Sequence, residues 1–203
     1  MKKLILVSVF LLAFVATSAA QQPMKPVIYA GGGLSMPIGP TVFKDYWKMG
    51  VGFGGGIGIQ AKPGTELIAK FFYNSFGFDW DKFFTDNSIT GVTGEGTDFQ
   101  AIEFGVDAKY LFGQAPTFKP FLVAGVGMVN VKFTDAKMTG TTTATVPLSG
   151  FSETKLSVSG GIGSEYMISP TMALWLEGRI VMVLTSGDSI NYMPFRVGLK
   201  FML

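Results

Sequence analysis

The chain contains no cysteine and no histidine in 203 residues. The first absence excludes a disulfide framework and any thiolate metal site; the second removes the commonest general base and metal ligand near neutral pH. Charge is also scarce, at 15% Asp, Glu, Lys and Arg, and no basic block stands out, so a nucleic-acid binder is not indicated. One long apolar run exists, Leu4 to Val15, and it falls short of the ~20 residues with which a helix spans a bilayer. After it no such run recurs, so any crossing of a membrane by the rest of the chain falls to strands.

That run follows Lys2 and Lys3 and precedes the small residues Thr17-Ser18-Ala19-Ala20, the pattern of an export signal cut before Gln21. Residues 1–20 are expected to be the signal and 21–203 a single domain; an uncleaved anchor is the alternative, disfavoured by the shortness of the run. No Cys follows the cleavage point, so a lipoprotein anchor is excluded. Loss of Lys2 and Lys3 from 16 basic residues leaves 14 against 14 acidic, a mature chain of zero formal charge.

What is present is glycine, 27 residues of it, and alternation. In the last stretch Phe195, Val197, Leu199, Phe201 and Leu203 point one way, and Arg196, Gly198 and Lys200 the other. This period of two is a strand with one oily and one cationic face, and a strand closing the chain suits a sheet that closes on its own first strand. Similar stretches are expected near 26–37, 50–61, 66–76, 99–112, 119–133, 156–168, 172–185 and 192–203. Short connections at 62–65, 114–117 and 169–171 alternate with 38–49, 77–98, 134–155 and 186–191, of which all but the last are long and polar. Tight turns at one end and long loops at the other, on an even number of strands, describe an outer-membrane barrel with its turns in the periplasm.

The fold class expected is therefore all-β: an eight-stranded antiparallel up-and-down transmembrane β-barrel preceded by a cleavable signal peptide. Charge phase supports it. Glu103, Asp107 and Lys109 share one face of the fourth strand; Glu177 and Arg179 share one face of the seventh. The third, fifth and sixth strands each hold one mid-strand charge, Lys70, Lys132 and Glu165, assigned inward because a cation facing lipid at midplane costs ~2–4 kcal/mol. The phase of the first two strands is open, since they lack charge.

Periodicity does not say which face is outside, and a soluble lipocalin-like barrel turns the same stripe inward. Aromatic residues near strand ends favour the membrane: Tyr73, Phe133 and Phe195 towards one interface, Tyr110, Phe112, Phe121 and Tyr166 towards the other. Ordinary core packing is their alternative use.

Gly50 to Gly58, Lys119-Pro120-Phe121 with Gly125-Val126-Gly127, Gly161 to Tyr166, and Leu176-Glu177-Gly178-Arg179 together resemble, over essentially the whole mature chain, the small outer-membrane protein β-barrel family that includes the transmembrane domain of outer membrane protein A. Two departures stand out. Members commonly end on an aromatic residue read by the barrel-assembly machinery, an expected partner, whereas this chain ends on Leu203; and no peptidoglycan-binding domain follows, so no cell-wall tether is implied. Barrels of this kind that are enzymes rely on histidine, so no activity is carried over, and no cofactor or metal is expected. Gly50, Gly52 and Gly55 match a dinucleotide fingerprint but lie within a strand pattern, where they serve as gaps for long side chains from the opposite wall.

The candidate site is the lumen. A hairpin centred between Asn87 and Ser88 sets Lys70 opposite Gly105 with Glu103 and Asp107 diagonal; one centred between Asp188 and Ser189 brings Glu177 and Arg179 towards Arg196 and Lys200. With Lys109, Lys132 and Glu165 this makes six inward cations and four inward anions, expected to pair within a plugged interior. A narrow gated ion pore is the alternative. In the loops, Tyr46, Trp47, Phe78, Trp80, Phe83 and Phe84 either form an exposed patch for an unidentified extracellular partner or pack the loops on the rim. The Thr-rich stretch 139–145 is expected to be a solvated loop. Function is expected to be structural, as a monomer surrounded by outer-membrane lipid, with surface binding through the loops as the other reading.

Overall fold

The computed structural model describes residues 25–113, 115–140, 143–147, 151–185 and 187–203. The export signal expected over 1–20 lies outside them. Eight strands form a closed antiparallel barrel: β1 (Lys25–Gly39), β2 (Gly50–Lys62), β3 (Thr65–Phe76), β5 (Phe99–Leu111), β6 (Phe118–Phe133), β9 (Ser152–Ser169), β10 (Met172–Val183) and β11 (Ile190–Met202). Each pairs with its chain neighbour, and β1 closes the ring on β11 from Val27–Met202 to Gly39–Asn191. A ring leaves no free edge, so the backbone groups at membrane depth find partners on the neighbouring strands.

The remaining strands form a second sheet in the loops. β4 (Thr93–Gly96), β7 (Ala136–Thr139) and β8 (Thr143–Val146) lie in the order β4-β7-β8, joining the second long loop to the third. This corrects the expectation of a merely solvated Thr-rich loop: Thr139 and Thr143 are ladder partners. Two short helices, Thr41–Tyr46 and Trp80–Asp86, complete the loop end. The second is capped by Asp79, whose carboxylate accepts from the Lys82 amide at 3.1 Å.

Within the barrel, burial alternates residue by residue and settles the phase of every strand, including the two that carry no guide charge. Odd positions of β1 point inward, among them Val27, Tyr29 and Ser35. On β2 the inward positions from Gly50 to Gly58 are Gly50, Gly52, Gly54, Gly56 and Gly58, a run without side chains. The room is used by the adjacent strand and not, as expected, by the opposite wall: a side chain at Gly52 would meet the Asn74 amide, at Gly54 the Phe72 ring, at Gly56 the Ile68 methyl.

The outward positions form an apolar belt, with Ile162 at 66% and Val126 at 64% exposure. Such a surface on a soluble monomer would be an aggregation hazard; in a bilayer it meets acyl chains. Tyr73, Tyr110, Phe112, Tyr166 and Phe195 lie on this outer side. Phe121 and Phe133 do not. Phe121 is fully buried in the lumen, and Phe133 packs on the core at the loop end through Phe99 and Trp47.

Candidate functional site: a layered lumen

Three layers fill the barrel from the short-turn end to the loop end. The first is built on Tyr29, Glu66, Lys109, Glu165 and Lys200. Lys200 Nζ donates to Glu66 at 2.5 Å and Glu165 at 2.8 Å, Lys109 Nζ reaches Glu165 at 3.1 Å, and the Tyr29 hydroxyl bridges the Glu66 and Glu165 carboxylates. The Lys109 ammonium also sits 4.2 Å above the Tyr29 ring and 4.0 Å above that of Phe121, a cation–π arrangement that strengthens as water is excluded.

The second layer, at mid-barrel, holds Lys70, Glu103, Asp107, Glu177, Arg179 and Arg196. Lys70 Nζ meets Glu103 at 2.6 Å and Asp107 at 3.1 Å. Arg179 donates two bonds to Glu177, at 2.8 and 3.1 Å, and reaches Asp107 at 2.8 Å. Arg196 Nη2 donates to Glu103 at 2.9 Å while its guanidinium lies 3.7 Å over the Phe72 ring. Ser159 accepts from both Lys70 and Arg179 at 3.2 Å. Between the two charged layers is a cavity of about 30 Å³, bordered by Tyr29, Lys70, Asp107, Lys109, Trp175 and Arg179, room for about two waters and no solute. The third layer is apolar: Phe43 from the first loop drops onto Phe76, Phe99, Val131, Val181 and Tyr192.

The pairing differs from the expectation in two residues, and both change the count. Lys132 is not in the lumen. It shares its phase on β6 with Leu122, Val126 and Met128, opposite the buried Val129 and Val131; a lone charge on a strand apolar on both faces does not reveal its side. Glu66, at the start of β3 and outside the expected set of inward charges, is 1% exposed inside. The buried charges are thus five cations, Lys70, Lys109, Arg179, Arg196 and Lys200, and five anions, Glu66, Glu103, Asp107, Glu165 and Glu177. Each layer is neutral by itself. Burial of ions is tolerable only with such charge pairing; hydrogen bonding is less complete, since Arg196 Nε and Nη1 are buried without an acceptor.

Register explains which pairs form. Lys70 stands opposite Gly105, as its hairpin centre implies. In the last hairpin Glu177 faces Arg196 and Lys200 faces Ala173, a shift of four positions on β11 from the expected centre. The ladder there lapses between Gly178–Phe195 and Val181–Tyr192, around Pro194, which has no N–H to give.

The loop aromatics pack on one another. Phe84 is buried, and Tyr46, Trp47, Trp80 and Phe83 are half-buried. Tyr46 stacks on Phe78, Trp47 meets Phe78 edge-on at 4.8 Å, and Trp80 lies against Phe84 at 5.4 Å. Trp80 Nε1 donates to the Gly96 carbonyl at 3.2 Å, tying its helix to the loop sheet. Lys82 donates to Asp86 at 2.9 Å, and that bond holds the Asp86 carboxyl below the usual carboxylate range.

Residues 6–202 match the family described as outer membrane protein beta-barrel domain. The chain belongs to this family. No curated protein matches it. Among solved structures it is similar to Neisserial surface protein A, with 14% identity, TM-score 0.59, and coverage of 87% of this chain and 96% of that one. It is also similar to the N-terminal β-barrel domain of Pseudomonas aeruginosa OprF, at 14% identity, TM-score 0.50 and coverage of 90% and 100%. A third is Yersinia pestis Ail, the attachment invasion locus protein, in complex with the heparin analogue sucrose octasulfate, at 15% identity, TM-score 0.50 and coverage of 89% and 100%. Identities this low speak for the fold alone. As a member of the family the chain is an outer-membrane protein, its apolar belt set in the lipid.

Proposed function

We propose that this protein is a non-enzymatic structural barrel of the outer membrane, inserted by the barrel-assembly machinery after removal of residues 1–20 and working as a monomer. The observation that carries the reading is the lumen: two neutral, fully paired ionic layers and an apolar cap in series, with space between the ionic layers for about two waters. An eight-stranded barrel has an interior about filled by its own side chains. This one uses that interior for cohesion and leaves no path for a solute.

A second reading, surface binding, is favoured by one specific feature. The long loops are folded into a sheet and two helices, a platform of defined shape. Ail, similar in fold, is described with a heparin analogue bound. The loop end here is a poor match for a sulfated glycan, because its six lysines face nine carboxylates; under this reading the partner is neutral or cationic.

Complementation separates the two. Cells lacking the protein are tested for detergent sensitivity, then given the whole chain or a chain shortened at the exposed loop tip, Asn87–Gly91. Restoration of the barrier by the shortened chain supports the structural reading; restoration by the intact loop alone supports surface binding.

A further inference from the structure

At the loop end, Lys132 is the one charged residue in the outward phase of the eight barrel strands among the described residues. Its surroundings are equally distinctive. In register beside it on the outer face are Gln100 on β5 and Ser152 on β9. One step towards the membrane, Asn130 donates to Ser152 and Thr154, both at 3.0 Å. A further step down, Phe104, Met128 and Leu156 resume the exposed apolar belt. On the other side of the barrel the outer face at the loop end stays apolar, with Met36, Val51 and Met182 exposed.

The level of this facet follows from the belt below it. A lysine at midplane is costly, and the cost falls to ~0–1 kcal/mol near the interface, so a cation directly above the last apolar row belongs at headgroup depth. Nearby lysines are already committed: Lys155 to Glu153 at 2.8 Å and Lys137 to Glu95 at 4.0 Å. Lys132 has no carboxylate within ion-pairing distance among the described residues. An ammonium at the edge of the hydrocarbon, flanked by amide and hydroxyl groups that both donate and accept, is complementary to a phosphate ester with adjoining hydroxyls.

We propose that Gln100, Asn130, Lys132 and Ser152 form a lipid-facing site for the phosphate-bearing headgroup of an outer-leaflet lipid, whose acyl chains run down over Phe104, Met128 and Leu156. The ligand is a lipid and not free phosphate, because the apolar row beneath the cation supplies half of the recognition. This assigns β5, β6 and β9 as the sector where the barrel holds an annular lipid in a fixed position.

The test uses the folded protein in phosphatidylcholine nanodiscs doped with a minor fraction of phosphatidic acid, followed by native mass spectrometry of the lipids that stay bound on release. Wild type is expected to retain phosphatidic acid over phosphatidylcholine by about fivefold, the effect of one cation at a membrane surface. Lys132→Gln abolishes the preference, Lys132→Arg preserves it, and Lys137→Gln, in the loop sheet, leaves it unchanged. Ser152→Glu, which keeps the lysine and gives it an anion opposite, also abolishes it and guards against a folding defect in the first variant; heat-modifiability on gels confirms that each barrel is folded. Retention by Lys132→Gln or Ser152→Glu at the wild-type level overturns the proposal. So does displacement of the lipid by inorganic phosphate alone, which marks an anion site indifferent to acyl chains.

Discussion

At the scale of single residues, the fold depends on charges that have nowhere else to go. Lys70 is 6% exposed and serves two carboxylates, Glu103 and Asp107. Lys70→Glu removes their shared cation and adds a fourth anion to the mid-barrel layer, and breaking a buried pair costs about 3–5 kcal/mol. Lys137→Glu faces only the exposed Glu95 at 4.0 Å, in a loop, where such pairs are worth about 0–1 kcal/mol. The first variant is expected to lose heat-modifiability at a clearly lower temperature than wild type, and the second to match it; equal shifts for both would remove the lumen network from the stability argument. Glycines make the complementary point about space. A Cβ on Gly54 would come within 2.7 Å of Phe72 Cα, whereas on Gly160 it would find nothing nearer than the Val123 carbonyl at 4.0 Å. Gly54→Ala is expected to destabilise by about 1–3 kcal/mol through overpacking, and Gly160→Ala to be neutral, as read from urea unfolding in lipid vesicles.

At the scale of elements, much of the architecture is legible from alternation alone. The expected spans 99–112 and 119–133 match β5 and β6 within a residue at each end, and the Lys70–Gly105 register follows from the centre of one loop. What is not legible has a common physical origin: alternation reports the faces of a strand only where both faces differ. β6 is apolar on both, so alternation gives no side for Lys132, which faces outward, or for Phe121, which faces the lumen. β9 runs four residues beyond its expected start, to Ser152, because outside the hydrocarbon a strand needs a partner but no apolar face. The loop sheet is invisible for a related reason. β4, β7 and β8 are four residues each, too short for a period to emerge, and β4 pairs with β7 from a different loop. Trp80 is the joint that holds the sheet to the helix Trp80–Asp86, through its bond to Gly96 and its ring over Gly94. Trp80→Ala is therefore expected to open the loop sheet to trypsin at Lys82 and Lys137 while the barrel keeps its gel shift. Loss of both together would mean that the sheet and the barrel form a single cooperative unit.

At the scale of the molecule, charge is segregated along the barrel axis. The loop end carries six lysines and nine carboxylates, the lumen five of each sign, and the short-turn end Lys25, Lys62 and Lys119 with no acidic side chain. The neutral section is thus bracketed by ends of opposite sign, and an ion entering from either side must leave bulk water to cross two layers in which every charge already has a partner. The layers act in series, so loosening one leaves the other in place. Wild type is expected to be silent in planar bilayers, and so are Arg196→Ala and Lys200→Ala taken singly. Their combination leaves Glu103 short of its arginine and Glu66 short of its only lysine, one in each layer, and is expected to give brief cation-selective openings as water follows the unpaired carboxylates. Conductance from Arg196→Ala alone would show that the Tyr29–Glu66–Glu165 layer is not a seal. Anion selectivity in the double variant would show that the carboxylates are not the groups left uncompensated.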